Sequence, residues 1–359
     1  VNHGLVAGPA SAAVVTKAGN NVLSVPVNNV YDTYYVAPTG NDANDGISPG
    51  TPFQTLAHAV NVCGNGTVDQ PITIVVAEGA YAGECTDPSG TNWVLNFDTR
   101  SHLRVIGAGP GKSYLTQGGK NWFIQRNAQP SGAPDSAPLV FKNATGVRFS
   151  GFTVVATNPP ATNSDHTWFP DFFSVVSVKG GNGLTLDNLE LDCRYDGPVY
   201  VISFGVWTND WKHWYGSAVH FGSEGTTVIQ PGGVLLENIL WRGGACFAYL
   251  NGYNGRDTAG NTNLITIRNC TMVEGIDRDM EAPNDGRVIH RHGPVVYANH
   301  ARYLLHNNVL YTHPRPAVPN GRDYFAVVTD NNAYTNRYGD YTITLVGNVL
   351  KDIGKNADL

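Results

Sequence analysis

Six segments of this chain share one six-residue pattern, and no other feature limits the possible folds as much. Each reads apolar, any, Asn or Gly, apolar, any, apolar. They are 149–154 (FSGFTV), 186–191 (LDNLEL), 236–241 (LENILW), 267–272 (IRNCTM), 305–310 (LHNNVL) and 345–350 (LVGNVL), with Asn in the fourth place, after the central Asn or Gly, in the last two. Alternation on both sides of the centre indicates strand. Gly151, Asn188, Asn238, Asn269, Asn307 and Gly347 hold the centre. Gly and Asn tolerate left-handed backbone better than other residues, so each segment reads as strand, one-residue bend, strand. A repeated unit of this kind buries its apolar face only against its neighbours, which is the signature of a solenoid. The expected fold is all-β, a single-stranded parallel β-helix.

Composition agrees and excludes several functions. Charged residues make up 14% of 359, while Gly numbers 41, which suits many tight turns and few surface helices. Net charge is −6 with no basic run, so nucleic acid is not an expected partner. No apolar stretch approaches the ~18 residues of a membrane span. From Val1 onward no charged region leads into an apolar one, so either there is no signal peptide or the sequence begins after it. Of five cysteines, Cys193, Cys246 and Cys270 read as buried thiols in the stack, and Cys63 and Cys85 are a candidate pair.

Residues 1–33 lack strong periodicity and read as a linker or attachment segment, leaving 34–359 as the β-helix domain. Within 34–62 a strand, a Gly/Asn/Asp/Pro loop and a short amphipathic helix follow one another. Phe53, Leu56, Ala57 and Val60 recur at helical spacing, and Thr51-Pro52 supplies an N-cap and a first-turn proline. Such a helix would close the open end of the solenoid, whose first rung otherwise exposes unpaired edges.

The string YYVAPTGNDANDGISPGTPFQTLAHAV (34–60) resembles the opening of secreted right-handed β-helix proteins of the pectate-lyase-like group. TIVVAEGAYAGE (73–84) resembles their first full rung and VRFSGFTVV (147–155) a later one. The resemblance covers roughly 34–350 and implies a right-handed coil. It says little about reaction, because lyases, hydrolases, epimerases and adhesins share the fold. NHGLVAGPASAA (2–13) resembles a short linker of phage tail fibres and tailspikes. That resemblance implies a virion-associated or secreted polysaccharide depolymerase and a homotrimer.

Successive bends lie 37, 50, 31, 38 and 40 residues apart. A bare rung needs about 20–25, so every turn is expected to carry an insertion, and long insertions on a regular scaffold are where binding usually sits. Candidate first strands lie upstream of each bend, at 174–180, 217–223, 246–252, 295–301 and 326–332. With Val176, Val178, Val219, Phe221, Ala248, Leu250, Val296 and Ala298 inward, the outer column becomes Ser177, His220, Tyr249, Tyr297 and Thr329. One step along come Lys179, Gly222, Asn251, Asn299 and Asn331. This strip is the candidate sugar-binding floor.

Two insertions would flank it. Residues 192–216 contain Trp207, Trp211 and Trp214, which form either a plug packed on the coil or a stacking surface for sugar rings. Residues 273–294 contain Asp277, Asp279, Glu281, His290 and His292. For cleavage of an acidic polysaccharide by β-elimination, His220 is the candidate base and Tyr249 the acid, with Lys179 and Arg194 stabilising the enolate. The competing reading is of ordinary ladder residues. Glycoside hydrolysis instead needs two carboxyls. Asp277 and Asp279, in DRDME, would crowd like charges and raise one pKa, and Asp192 with Asp196 form a second pair.

Asp277, Asp279 and Glu281 are equally a possible calcium set or a solvated loop. Asp42, Asn44 and Asp45 form another oxygen-rich loop, where local turn bonds are the commoner role. No other cofactor is expected. His290 and His292 lack a third partner for a transition metal. GAGPGK (107–112) lacks phosphate-loop spacing and reads as a turn.

Overall fold

The computed structural model describes residues 12–18, 21–27, 32–82, 95–116, 139–155, 173–192, 216–222, 233–242, 246–250, 264–273, 280–281, 288–289, 296–297, 302–311, 327–328 and 343–351. From Thr33 onward they form a right-handed parallel β-helix. One sheet has seven first strands: Leu95–Asn96, Leu139–Lys142, Phe173–Lys179, Gly216–Gly222, Cys246–Leu250, Val296–Tyr297 and Val327–Val328. The other, of fourteen strands, turns the corner at the bends and holds the second and third strands of every rung. All pairings in both sheets are parallel. No helix among the described residues is long and apolar enough to cross a membrane.

The expected bends stack as one column. Asn188, Asn238, Asn269 and Asn307 have φ of 52°, 52°, 53° and 54°, and Gly151 and Gly347 have 82° and 64°. The register on either side is unbroken: Leu186 pairs with Leu236, Leu236 with Ile267, Ile267 with Leu305 and Leu305 with Leu345. Left-handed backbone costs an ordinary L-residue about 1–2 kcal/mol, which explains the restriction to Asn and Gly. Gly151 has a further reason, since a Cβ there or at Gly107 would strike the other's backbone oxygen. A second left-handed column, between first and second strands, runs through His102, Gly146, Gly183 and Gly233.

The core is a pile of side chains along the coil axis. Ile74, Val105, Phe149, Leu186, Leu236, Ile267 and Leu305 occupy one column and are all fully buried. Phe97 stacks on Phe141 at 4.7 Å and Phe149 on Phe152 at 4.5 Å, so the early rungs are filled by aromatic rings. One position after the bend, the inward column changes from Phe152, Leu189 and Ile239 to Cys270, Asn308 and Asn348. Asn308 and Asn348 form an internal amide ladder, each holding backbone groups of the rung below at 2.9 Å.

The helix Leu56–Val62 closes the first end, burying Leu56, Ala57, Ala59 and Val60. Its N-cap is Thr55, which accepts from the His58 N–H, and not Thr51. Phe53 is held in an extended bridge to Val36, donating its N–H to the Tyr35 carbonyl and accepting from the Ala37 N–H. The chain becomes free to coil only after it. Asp42 accepts from the backbone of Gln54 and Thr55 and from the Thr55 hydroxyl. Asn44 donates to the Pro52 carbonyl, and Asp45 accepts from Ile47 N–H and the Thr51 hydroxyl. This loop is fastened by turn and cap bonds.

Four further expectations have an outcome in the structure. Within 1–33, Ala12–Ala18 and Asn21–Val27 pair as an antiparallel hairpin. Cys63 is a free, buried thiol and makes no disulfide with Cys85. Burial pushes its thiol up to about 11, and that of buried Cys270 up to about 12. GAGPGK is a turn between rungs, as read, with Gly109 and Gly111 at positive φ. The extra chain does not fall at one place in every rung: only residues 243–245 join Val234–Arg242 to Cys246–Leu250, and the extra chain of that rung follows its first strand, as residues 251–263.

Candidate functional site

The outer face of the seven-stranded sheet is built by register. Ser177 pairs with His220, His220 with Tyr249 and Tyr249 with Tyr297. These four positions therefore lie in one column on successive rungs, ~4.8 Å apart. Val178 pairs with Phe141, whose ring meets the core ring of Phe149 edge-on at 6.3 Å, so Val176 and Val178 face inward. Tyr297 pairs next with Val328, not Thr329, because Val296 aligns with Val327. A one-residue shift in a two-residue strand is invisible to pattern matching.

The column extends further back than the sequence suggested. Asn96 pairs with Val140 and Val140 with Ser177. LVFK (139–142) is a first strand that was missed because all but its last residue are buried, giving no alternation. Val140, Val175 and Ser177 have relative exposures of 4%, 0% and 0%. The strip is thus buried at these early rungs. This corrects the expectation of a solvent-facing strip starting at Ser177.

One step along, Lys179 pairs with Gly222 on one side and Lys142 on the other, and Lys142 lies 3.7 Å from the Asp98 carboxylate. Lys179 is half-buried and two positions from the His220 level. Asn251 and Asn299 lie outside the described residues, as do Arg194, Asp196, Trp207, Trp211, Trp214, Asp277, Asp279, His290 and His292. Glu281 lies in Met280–Glu281, which pairs antiparallel with Val288–Ile289. Both flanking segments leave a third strand and enter a first strand: one runs from Thr185–Asp192 to Gly216–Gly222, the other from Thr271–Val273 to Val296–Tyr297. They therefore reach the seven-stranded sheet at the same edge.

The outer face of the second and third strands is different in character. Arg148 makes two bonds to Asp187, at 2.8 and 2.7 Å, and Ser150 donates to the same carboxylate. Arg268 makes two to Glu237, at 2.7 and 3.0 Å, and Arg242 lies 3.1 Å from Glu190. Each carboxylate raises the pKa of its arginine, Asp187 for Arg148 and Glu237 for Arg268, mainly by hydrogen bonding. Adjacent acids here are already matched by cations, so this face is structural. Asp192, from the second acidic pair, is buried beside Arg242 in register. Among the described residues no group of three or more His, Cys, Asp or Glu is arranged to hold a metal.

No protein-family model and no curated protein matches this chain. Among solved structures, a rhamnogalacturonan lyase is similar over 90% of this chain and 75% of its own, at 14% identity and a TM-score of 0.45. A pectin methylesterase mutant in complex with a hexasaccharide is similar over 90% and 91%, at 12% identity and 0.42. YbhC of Escherichia coli is similar over 88% and 84%, at 11% identity and 0.36. Likeness at this level assigns no chemistry, and the fold rests on the strand register itself.

Proposed function

We propose that this protein binds and cuts a polysaccharide along the outer face of its seven-stranded sheet, outside the producing cell or on a virion tail. The observation that carries this reading is the single column of His220, Tyr249 and Tyr297 on successive rungs. Backbone pairing sets the His220 and Tyr249 positions at one register on rungs ~4.8 Å apart, a repeat suited to an extended polymer. The tail-like segment 2–13 favours a virion and a homotrimer. The insertions carrying Trp207, Trp211, Trp214, His290 and His292 supply the walls.

For an acidic polymer the chemistry would be β-elimination. His220 removes the proton beside the uronate carboxyl. Lys179 and Arg194 stabilise the enolate, and Tyr249 protonates the leaving oxygen. Hydrolysis through Asp277 and Asp279 is the second enzymatic reading, with the same acids and Glu281 as a possible calcium set. Incubation with acidic polysaccharides separates these. Ultraviolet absorbance from an unsaturated product indicates elimination, new reducing ends without it indicate hydrolysis, and binding with neither indicates a receptor-binding protein. His220→Ala is expected to abolish elimination with the fold retained. Unchanged turnover would remove His220, and Asp279→Asn would then be the variant to measure.

A further inference from the structure

The bend column carries four side chains whose chemistry the fold does not use. Asn188, Asn238, Asn269 and Asn307 stand on successive rungs with φ between 52° and 54°, and all four are exposed. Asparagine tolerates left-handed backbone because its short polar side chain can bond locally. Among the described residues none of these four side-chain amides has a hydrogen-bond partner. Glycine holds the same bend at Gly151 and Gly347 with no side chain at all. The backbone therefore asks for left-handed tolerance at each corner and not for an amide.

Register places the columns on either side. Directly before the bend come Asp187, Glu237, Arg268 and His306, and two places after it Glu190, Leu240, Thr271 and Val309. Every carboxylate in these two columns already faces an arginine: Asp187 faces Arg148, Glu237 faces Arg268 and Glu190 faces Arg242. Val309 adds an apolar side chain that is 38% exposed. The corner thus offers donors and acceptors in a straight line. It offers neither unmet carboxylate charge nor the wide apolar core of a protein–protein interface.

We propose that this corner is a second polysaccharide-binding site, separate from the outer face of the seven-stranded sheet, and that it takes a neutral, extended polymer of hydroxyl-bearing sugars. A primary amide offers an acceptor oxygen and an NH₂ donor side by side, a set that pairs with neighbouring hydroxyls on one ring. Rungs ~4.8 Å apart bring one amide to roughly every sugar of an extended chain. The four amides span about 14 Å, so contacts that are weak singly add along the polymer.

The test uses the full chain and neutral hexasaccharides of β-linked glucose, mannose and xylose, titrated calorimetrically. Saturable binding of at least one is expected, unchanged by added salt because no ion pair forms. Asn238→Gly combined with Asn269→Gly removes two amides and keeps the bend. Its melting should match the parent protein while its affinity falls about tenfold. No binding of any of the three sugars, or equal binding by the double variant, would overturn the proposal. So would sedimentation that changes in the double variant, since the amides would then join copies of this chain.

Discussion

Among the described residues the two ends of the fourteen-stranded sheet differ: the core is covered at the first and exposed at the last. At the first end a loop pinned by Asp42, Asn44 and Asp45 delivers a helix whose buried face covers the core. At the last end Leu345 and Val349 remain exposed. A solenoid is held together rung by rung, so an apolar side chain is worth most where it has neighbours on both sides. Position in the column, and not residue type, sets the contribution.

That contrast predicts the largest effect. Ile267→Ala and Leu345→Ala remove side chains from one column, but Ile267 is fully buried. Ile267→Ala should cost about 2–5 kcal/mol and Leu345→Ala about 1 kcal/mol or less. Denaturant midpoints of the two variants measure the difference, and equal losses would mean that the last rung is covered in solution.

A pH effect should follow from the buried thiols. Cys63 beneath the cap is raised to about 11 and Cys270 to about 12, from an ordinary 9.0. Above 9 the unfolded chain releases these protons while the folded chain keeps them. The stability that burial confers is therefore fully present below 9 and lost as pH rises through 11 and 12. Urea titrations across this range should show a decline that Cys63→Ala and Cys270→Ala flatten.

Opening the closed end is expected to cost less. Asp42→Ala removes three bonds to the helix entrance and should destabilise the cap by about 2 kcal/mol. Reaction of Cys63 with a thiol reagent at neutral pH would report it, slow in the native protein and faster in the variant. The smallest effects lie at the bends. Asn238→Ala should cost about 1 kcal/mol while Asn238→Gly is nearly neutral. Thr99, a β-branched residue at φ 57°, should instead gain about 1 kcal/mol on Thr99→Gly. Thermal melting of the three variants gives the order.

The bends were legible because a tight left-handed turn admits few residues, so Asn188, Asn238, Asn269 and Asn307 mark themselves in the sequence. The parity of the first strands was legible where alternation survives, as at Val176 and Val178. It failed at LVFK, where both faces are buried, and at Val327–Val328, where two residues are too few to fix a register. The helix start was misplaced because the bridge between Phe53 and Val36 is a contact between segments 17 residues apart in the chain. Of the candidate site, the ladder from Ser177 to Tyr297 could be read from pattern, but its burial at Ser177 could not.

The sequence by itself determined the coil, its bend column and the inward apolar positions, because each depends on local backbone preference and a short period. Only the tertiary structure decided which outer positions are buried, which charges neutralise each other and which described apolar residues stay exposed. Those properties depend on residues 31 to 52 places apart meeting across rungs, as Arg268 meets Glu237 and Arg242 meets Glu190. No short window of sequence contains both members of such a pair.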